Sequence, residues 1–512
     1  MKAPATRNPG LLARERVLAT LSHEIRTPLN GVLGMAGLLA ETKLDATQAA
    51  YLKTLRDCGE HLLGLVNDVL DYAKLDAQPV RLEAAPMDVE ALLQGVCELL
   101  SPRAHAAGIE IAWCTRGAVP RLLADDGRLR QILFNLAGNA VKMTKAGGVL
   151  LSAEARPASD GQVSLELSVA DTAPGIPEAH QAAIFEEFTQ TDEGEAAGGA
   201  GLGLAIVRRL ADAFDGELGV ESTVGEGARF WFRADFAVAD APSAGSAQSL
   251  AGAVIAVVSP SPIVREAAAA QVAACGGIAR PAGSLRAVDP GAAAVLVDAA
   301  LAGRRGRLKP PSGAPALILI APEERRGIPA ARAAGFAGYL IKPLRRTSVA
   351  ERLLALIGPV SLETADGHGH DDERIAAPPP IAARVLLAED NPVNALLART
   401  LLVRAGCSVQ RAVTGEEAIT AAATADFDLI LMDLRMPGVD GLAATRRLRA
   451  RGVSAPIVAL TANAFDEDRR ACLDAGMNDF LTKPLDPRAL QAILARWVKP
   501  AASGAGGRQA VA

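Results

Sequence analysis

At 512 residues, half of them apolar, the chain is long enough for roughly three or four domains of about 100–200 residues each. A formal charge of −5 argues against general affinity for nucleic acid or anionic membranes, which requires a basic excess. With no apolar run approaching the roughly 20 residues that span a bilayer, and no apolar signal-peptide core at the N-terminus, a soluble cytoplasmic protein is expected. The six cysteines are far apart and form no C-x-x-C pair, so neither a disulfide framework nor a zinc site is implied.

Residues 1–10 hold Pro, Asn and Gly and leave no room for a sensory domain, so any signal is expected to enter elsewhere. Apolar residues then recur at Leu18, Leu21, Ile25, Leu29, Val32, Ala36 and Leu39, the three-four spacing of one helical face. His23 lies two residues from both Leu21 and Ile25, which turns its imidazole outward. An exposed imidazole is a candidate nucleophile, and Glu24 beside it is placed to orient it or take its proton. Taken alone, the pair reads more readily as a surface histidine beside a surface glutamate. After a turn at 41–46, Leu52, Leu55, Gly59, Leu62, Val66, Val69 and Ala73 continue the alternation as the seam of a helical bundle. A two-helix hairpin cannot bury both stripes alone; two hairpins make a four-helix bundle, so a homodimer is expected.

From about Val80 to Ala237 the pattern becomes mixed helix and strand. Asn135, Asn139 and Lys142 fall along one helical face, and two amides with an ammonium suit a nucleotide polyphosphate and its Mg²⁺. An apolar strand ends in Asp171-Thr172-Ala173-Pro174-Gly175, Phe185-Glu186-Glu187-Phe188 follows, and Gly198-Gly199-Ala200-Gly201-Leu202-Gly203 opens onto a helix. Such a glycine cluster cradles phosphate because backbone N–H groups and the helix N-terminus face the anion.

Residues 238–250, rich in Ala, Ser, Gly and Pro, read as a linker, and a βα pattern then repeats twice. In the second copy (384–499) short apolar strands end in Glu389-Asp390, Asp433, Thr461 and Lys483-Pro484, as expected of a doubly wound parallel sheet with its ligands at the strand carboxyl ends. Glu389, Asp390 and Asp433 form a hard-oxygen site for Mg²⁺. Asp433 can attack a phosphoryl group while Mg²⁺, Thr461 and Lys483 stabilise the charge. The first copy (251–358) keeps Asp298 and Lys342-Pro343 but has Ser259 and Pro260 at the acid pair and Ile320 at the threonine. With too few Mg²⁺ ligands, Asp298 is not expected to be phosphorylated, which leaves a spacer, a docking module or a ligand sensor. Arg325, Arg326, Tyr339, Ile341 and Pro343 are candidate sensor residues, since arginine forks bind phosphate and stack on bases and a tyrosine face stacks too. By residue type alone, a solvated loop and a packed tyrosine remain open. Residues 359–383 carry Asp366, His368, His370, Asp371, Asp372, Glu373, Arg374 and Pro378-Pro379-Pro380. They read as a tether with a stiff end, whose acidic patch is a candidate to hold the first copy against a basic or catalytic surface. The Gly/Ala-rich tail (500–512) is expected to be disordered.

Ser22-His23-Glu24-Ile25-Arg26-Thr27-Pro28-Leu29 resembles the H box of sensor histidine kinases, and residues 65–74 resemble the second-helix signature of that family. The next four stretches are similar to its N, G1, F and G2 boxes, and 384–499 is similar to response-regulator receivers. The resemblance implies a multidomain chain. It would comprise a dimeric four-helix-bundle phosphotransfer domain (11–76), an α/β sandwich ATP-binding domain of the GHKL type (80–237), and two flavodoxin-like α/β domains of which the first is a pseudo-receiver. It also implies that His23 takes the γ-phosphate of ATP and passes it to Asp433, with a histidine phosphotransferase or response regulator as the outlet. Thr27, on the His23 face, would position a hydrolytic water for the reverse activity. Asn139 would ligand Mg²⁺, Asn135 and Lys142 would touch phosphate or ribose, Asp171 would accept the adenine amino group, and Gly175, Gly199, Gly201, Leu202 and Gly203 would shape the site. For the pseudo-receiver the resemblance favours a cyclic dinucleotide such as cyclic di-GMP. Two departures stand out: Ala173 replaces the first glycine of the G1 box, and Met143 replaces the aromatic after Lys142. The alanine adds a methyl where the backbone approaches the base, and the altered G1 box opens a rival reading, a catalytically weak scaffold or pseudokinase whose receiver serves as a docking module or phosphate sink.

Overall fold

The computed structural model describes residues 28–29, 31–37, 39–40, 42–77, 80, 82–158, 161–187, 189, 201–240, 250–305, 308–357, 383–461, 466–483, 485 and 487–498. His23, Glu24, Thr27 and Gly199 lie outside them, as do nearly all of the tether and the tail. The chain divides into two compact units, 1–19 with 64–373 and 20–63 with 374–512, each described by itself.

Helix α1 (Ala46–Ala77) carries the predicted seam. Gly59 leaves room there for Leu33, whose Cδ2 lies 2.7 Å from where a Cβ would stand, so the two helices of the hairpin meet closely at this point. Ala36 and Leu52 of the stripe are buried, but Val32, Met35, Leu39, Leu55, Leu62 and Val69 are exposed. A groove of about 610 Å³ runs between the helices, lined by Val32, Met35, Leu39, Leu52 and Leu55 and reaching Asn391.

The ATP-binding region is one mixed sheet of β1 (Ala85–Met87), β2 (Glu110–Arg116), β3 (Arg121–Ala124), β4 (Gly148–Pro157), β5 (Gln162–Asp171), β6 (Glu217–Thr223) and β7 (Gly227–Asp240), ordered β1-β3-β7-β5-β4-β2 with β6 on β7. Helices α2 (Val89–Ala106), α3 (Asp126–Met143) and α4 (Gly203–Ala213) contribute Leu92, Leu93, Leu133, Leu136, Ile206 and Leu210 to its core. Each such fully buried side chain stabilises the fold by roughly 1.5–3 kcal/mol. Local chemistry sets the helix starts. Asp88 accepts the N–H groups of Glu90 and Ala91 at the start of α2, and Asp125 accepts that of Arg128 at α3.

The two receiver-like domains share one topology. In the first, β8 (Val254–Val258), β9 (Ile278–Ala282), β10 (Ala294–Asp298), β11 (Ala316–Ile320) and β12 (Gly338–Ile341) are ordered β12-β11-β10-β8-β9. In the second, β13 (Arg384–Ala388), β14 (Ser408–Ala412), β15 (Leu429–Asp433), β16 (Ile457–Thr461) and β17 (Asp479–Thr482) are ordered β14-β13-β15-β16-β17. All ladders in both are parallel, and the central strands are buried throughout, as helices on both faces require. Helices α5 (Pro262–Ala274) and α6 (Arg346–Ile357) belong to the first domain and α7 (Pro392–Arg404) to the second.

The predicted linker at 238–250 is too long at both ends. Strand β7 runs on to Asp240 because Val238 and Asp240 pair with Leu122 and Arg121. Leu250 is 1% exposed and sits in the pseudo-receiver core, its N–H donating to the Cys275 carbonyl.

Candidate functional site

In the receiver, the chain delivers its polar residues where β13, β15, β16 and β17 end. Glu389, Asp390 and Asp433 offer carboxylate oxygens that all lie within 4.8 Å of one another. The Lys483 ammonium bridges two of them, 2.5 Å from Glu389 Oε2 and 2.6 Å from Asp433 Oδ2. Thr461 is buried at the end of the neighbouring strand, its carbonyl accepting the Lys483 N–H. Burial pushes the Glu389 carboxyl up; Lys483 opposes this and the Asp433 charge adds to it. Three clustered oxygens of hard character fit Mg²⁺. Two helpers escaped sequence reasoning. Asn394 Nδ2 donates to Glu389 Oε1 at 3.1 Å, and the Arg411 guanidinium donates to the Glu389 and Asp390 carbonyls, fixing the turn that carries both acids. Nothing in a lone strand arginine signals that role.

The pseudo-receiver fills the same slots differently. Ser259 Oγ donates to Asp298 Oδ2 at 2.5 Å and Lys342 Nζ lies 3.2 Å from Asp298 Oδ1. Asp298 and Ser259 are both 0% exposed, so the carboxylate is saturated and sealed from solvent.

In the ATP-binding region, α3 carries Asn135 and Asn139, half-buried, and Lys142, exposed. Gly203 begins α4, and a Cβ there would stand 3.8 Å from Asn139 Nδ2, so the glycine lid and the N-box helix converge. Gly201 has φ +68° and Leu202 is buried. Asp171 ends β5, 7% exposed. Its Oδ1 accepts the N–H groups of Ala173 at 2.9 Å and Ala228 at 3.2 Å, which leaves Oδ2 for a further donor. Burial pushes its carboxyl up, against the pull of those two N–H groups. Gly175 has φ +81°, and a Cβ there would stand 2.2 Å from the Thr223 carbonyl oxygen, so this turn admits no side chain. Ala173 is not among the non-glycine residues with positive φ; its methyl costs no backbone strain.

Among the sensor candidates, Arg325 and Arg326 follow the carboxyl end of β11, the same sheet end at which Ile341 closes β12. Tyr339 is packed in the domain core rather than open, and the Arg352 guanidinium of α6 lies 5.6 Å from its ring centroid. Arg352 was not foreseen, because helical spacing gives no hint of a ring on another element.

Three family models match: His Kinase A (phospho-acceptor) domain at 13–78, histidine kinase-, DNA gyrase B-, and HSP90-like ATPase at 124–238, and response regulator receiver domain at 385–495. The crystal structure of full-length ShkA in complex with AMPPNP is 53% identical, covering 94% of this chain and 99% of that one with a TM-score of 0.61. The chain belongs to the hybrid histidine kinases. The sensor histidine kinase GacS of Pseudomonas protegens is 33% identical over 94% of the hybrid kinase and 55% of its own length; the chain thus spans about half the length of the curated relatives it matches. The crystal structure of ShkA Rec1 in complex with c-di-GMP is 47% identical over 21% of this chain and 94% of that one, with a TM-score of 0.20. Among the described residues of the kinase, no helix is long and apolar enough to cross a membrane.

Proposed function

We propose that this hybrid kinase transfers the γ-phosphoryl group of ATP to His23, relays it to Asp433 and delivers it to a separate histidine phosphotransferase or response regulator in the cytoplasm. The observation that carries this reading is the Lys483 ammonium bridging Glu389 and Asp433 beside Asp390, a phosphoacceptor geometry held in the same chain as a nucleotide fold. In the first step the His23 ring nitrogen forms a bond to phosphorus as the bond to ADP breaks, with Glu24 taking the ring proton. Asp171 accepts the adenine amino group, Asn135 and Lys142 hold phosphate or ribose, and Asn139 would hold the Mg²⁺ that accompanies the nucleotide. In the second, an Asp433 oxygen attacks the phosphohistidine and the imidazole leaves; Lys483 and Thr461 stabilise the equatorial charge. Glu389, Asp390 and Asp433 would hold a Mg²⁺ ion, which would supply charge neutralisation at the phosphoryl group. Thr27 positions water for the reverse hydrolysis.

Two hairpins cover each other's exposed stripe, making the unit a homodimer. The scaffold alternative rests on the altered G1 box; Ala173 needs no special backbone angle, which supports the kinase reading as far as conformation goes and leaves the added methyl to the Ala173→Gly test. The pseudo-receiver gates the relay by taking a cyclic dinucleotide such as cyclic di-GMP at Arg325 and Arg326 beside Ile341 and Pro343; Tyr339, packed in the domain core, supports that surface rather than stacking openly on the ligand. Incubation with labelled ATP, with and without cyclic di-GMP, tests both parts. Label is expected on the chain and is expected to rise with the dinucleotide, and Arg325→Ala/Arg326→Ala is expected to abolish the rise. A wild-type chain unlabelled under all conditions would refute the kinase reading.

A pH dependence follows from Asp171. Its carboxyl titrates above the ordinary aspartate range, and protonation removes the acceptor for the adenine amino group. ATP affinity is therefore expected to fall as the pH drops through that raised value and to recover above it. Asp171→Asn should bind weakly at every pH, without the inflection; calorimetry at a series of pH values measures both.

A further inference from the structure

Strand β2 is the edge of the ATP-binding sheet and is covered on both faces. Ile111 and Trp113 face the domain's own core. Ala112 and Cys114, with Leu150, instead pack against Ile263 and Ala267 of α5 in the pseudo-receiver. These side chains are few and mostly small, so the apolar seam between the two domains is slight. Charges surround it. Arg345 pairs with Glu98 at 2.8 Å, Arg346 with Glu90, and Arg116 with Glu266 at 2.9 Å. Gln271 Nε2 donates to the carbonyls of both Trp113 and Leu344.

At the centre is Lys342, 4% exposed. Its counterpart Lys483 is held by two carboxylates of its own domain, Glu389 and Asp433. Lys342 is also held by two, but only Asp298 is local; the second is Glu110, the first residue of β2, at 2.5 Å. Ser259 follows β8 as Glu389 follows β13, so the acid missing from the pseudo-receiver is matched by one from its neighbour. We propose that Glu110 of the ATP-binding domain replaces the carboxylate absent at Ser259, turning Lys342 from a phosphorylation-site residue into a clamp that docks the pseudo-receiver on the edge of the ATP-binding sheet. The argument is electrostatic. A buried ammonium is stable only when paired, and the two-carboxylate environment that the receiver completes internally is completed here only while the domains touch. The clamp stands whether or not the pseudo-receiver takes a nucleotide.

Cys114 reports the state of this seam. It is buried beneath α5, which pushes its thiol up to about 11, so it reacts only when the seam opens. Cys97, in the core of the ATP-binding domain, reports unfolding of that domain. The test labels the full-length chain with N-ethylmaleimide and follows each cysteine by peptide mass spectrometry. Glu110→Gln is expected to speed Cys114 labelling about tenfold or more, the scale of one lost charge-assisted hydrogen bond, with Cys97 unchanged. Ser259→Glu, which returns a local carboxylate to Lys342, is expected to do the same, and the double variant to be no faster than either single one, since all three remove one contact. Cys114 labelling at the wild-type rate in Glu110→Gln would overturn the proposal, as would an equal rise at Cys97. Should Ser259→Glu not fold, Glu110→Gln alone decides.

Discussion

His23→Ala is expected to take up no phosphoryl group from labelled ATP, a loss on the order of 10³-fold or more, because removal of the nucleophile leaves no group to form the covalent intermediate. Asp433→Asn should behave in the opposite way and hold label on histidine, since the relay is cut one step later. The two bonds are chemically distinct: phosphohistidine is labile in acid and stable in alkali, whereas an acyl phosphate is hydrolysed in alkali. Wild-type chain should show both chemistries, Asp433→Asn only the first and His23→Ala neither. The Asp433→Asn substitution removes a charge beside Lys483 and Glu389 without changing side-chain volume, so the receiver should remain folded. Label of the acyl type in His23→Ala would mean that Asp433 is loaded directly and that the order of the relay is wrong.

Gly175→Ala is expected to be the most damaging single-methyl change in the ATP-binding domain. Two effects add. An alanine at φ +81° costs roughly 1–2 kcal/mol in the left-handed region. Its Cβ would also stand 2.2 Å from the Thr223 carbonyl oxygen, a backbone clash that only displacement of the turn relieves. That turn is tied down on either side, by the Gly225 N–H donating to the Pro174 carbonyl at 2.7 Å and the Ile176 N–H donating to Ser222 Oγ at 2.8 Å, and it leads back directly to Asp171. We expect about 3 kcal/mol or more of destabilisation, at the high end for a point change, with ATP affinity falling on the order of a hundredfold. Ala173→Gly is the contrasting control: because Ala173 needs no special backbone angle, restoring the family's glycine should change ATP affinity by no more than a few-fold. Thermal unfolding and calorimetry with ATP measure both variants. A large gain in Ala173→Gly would show that the methyl, not the conformation, limits the site.

The receiver was legible because its physics is local. Parallel strands buried on both faces appear as unbroken apolar runs such as Leu429–Met432, and the residues that end them, Glu389, Asp390, Asp433, Thr461 and Lys483, therefore had to share one rim. The same logic exposed Ser259 and Ile320 as departures. The ATP-binding boxes were legible as a set, but the conformational reason for Gly175 and the ordinary backbone angle of Ala173 were not, since backbone angles leave no mark on composition. The linker boundary was misjudged because the alternating Ala237-Val238-Ala239-Asp240 looks like a spacer, and only its pairing with β3 makes it a strand. Least visible were Glu110 and Arg352. Glu110 is a lone acid opening a strand, and its partner Lys342 lies 232 residues away, a separation at which no periodicity operates. Arg352 and Tyr339 meet only because α6 folds back over an edge strand.

The sealed Asp298 carboxylate has a bearing on signal arithmetic. On the proposed relay, Asp298, 0% exposed and saturated by Ser259 and Lys342, would store no acyl phosphate and would leave that role to Asp433 alone. A homodimer of the proposed kind would then give an output in steps of none, one or two, and the tandem arrangement would add no memory to the circuit.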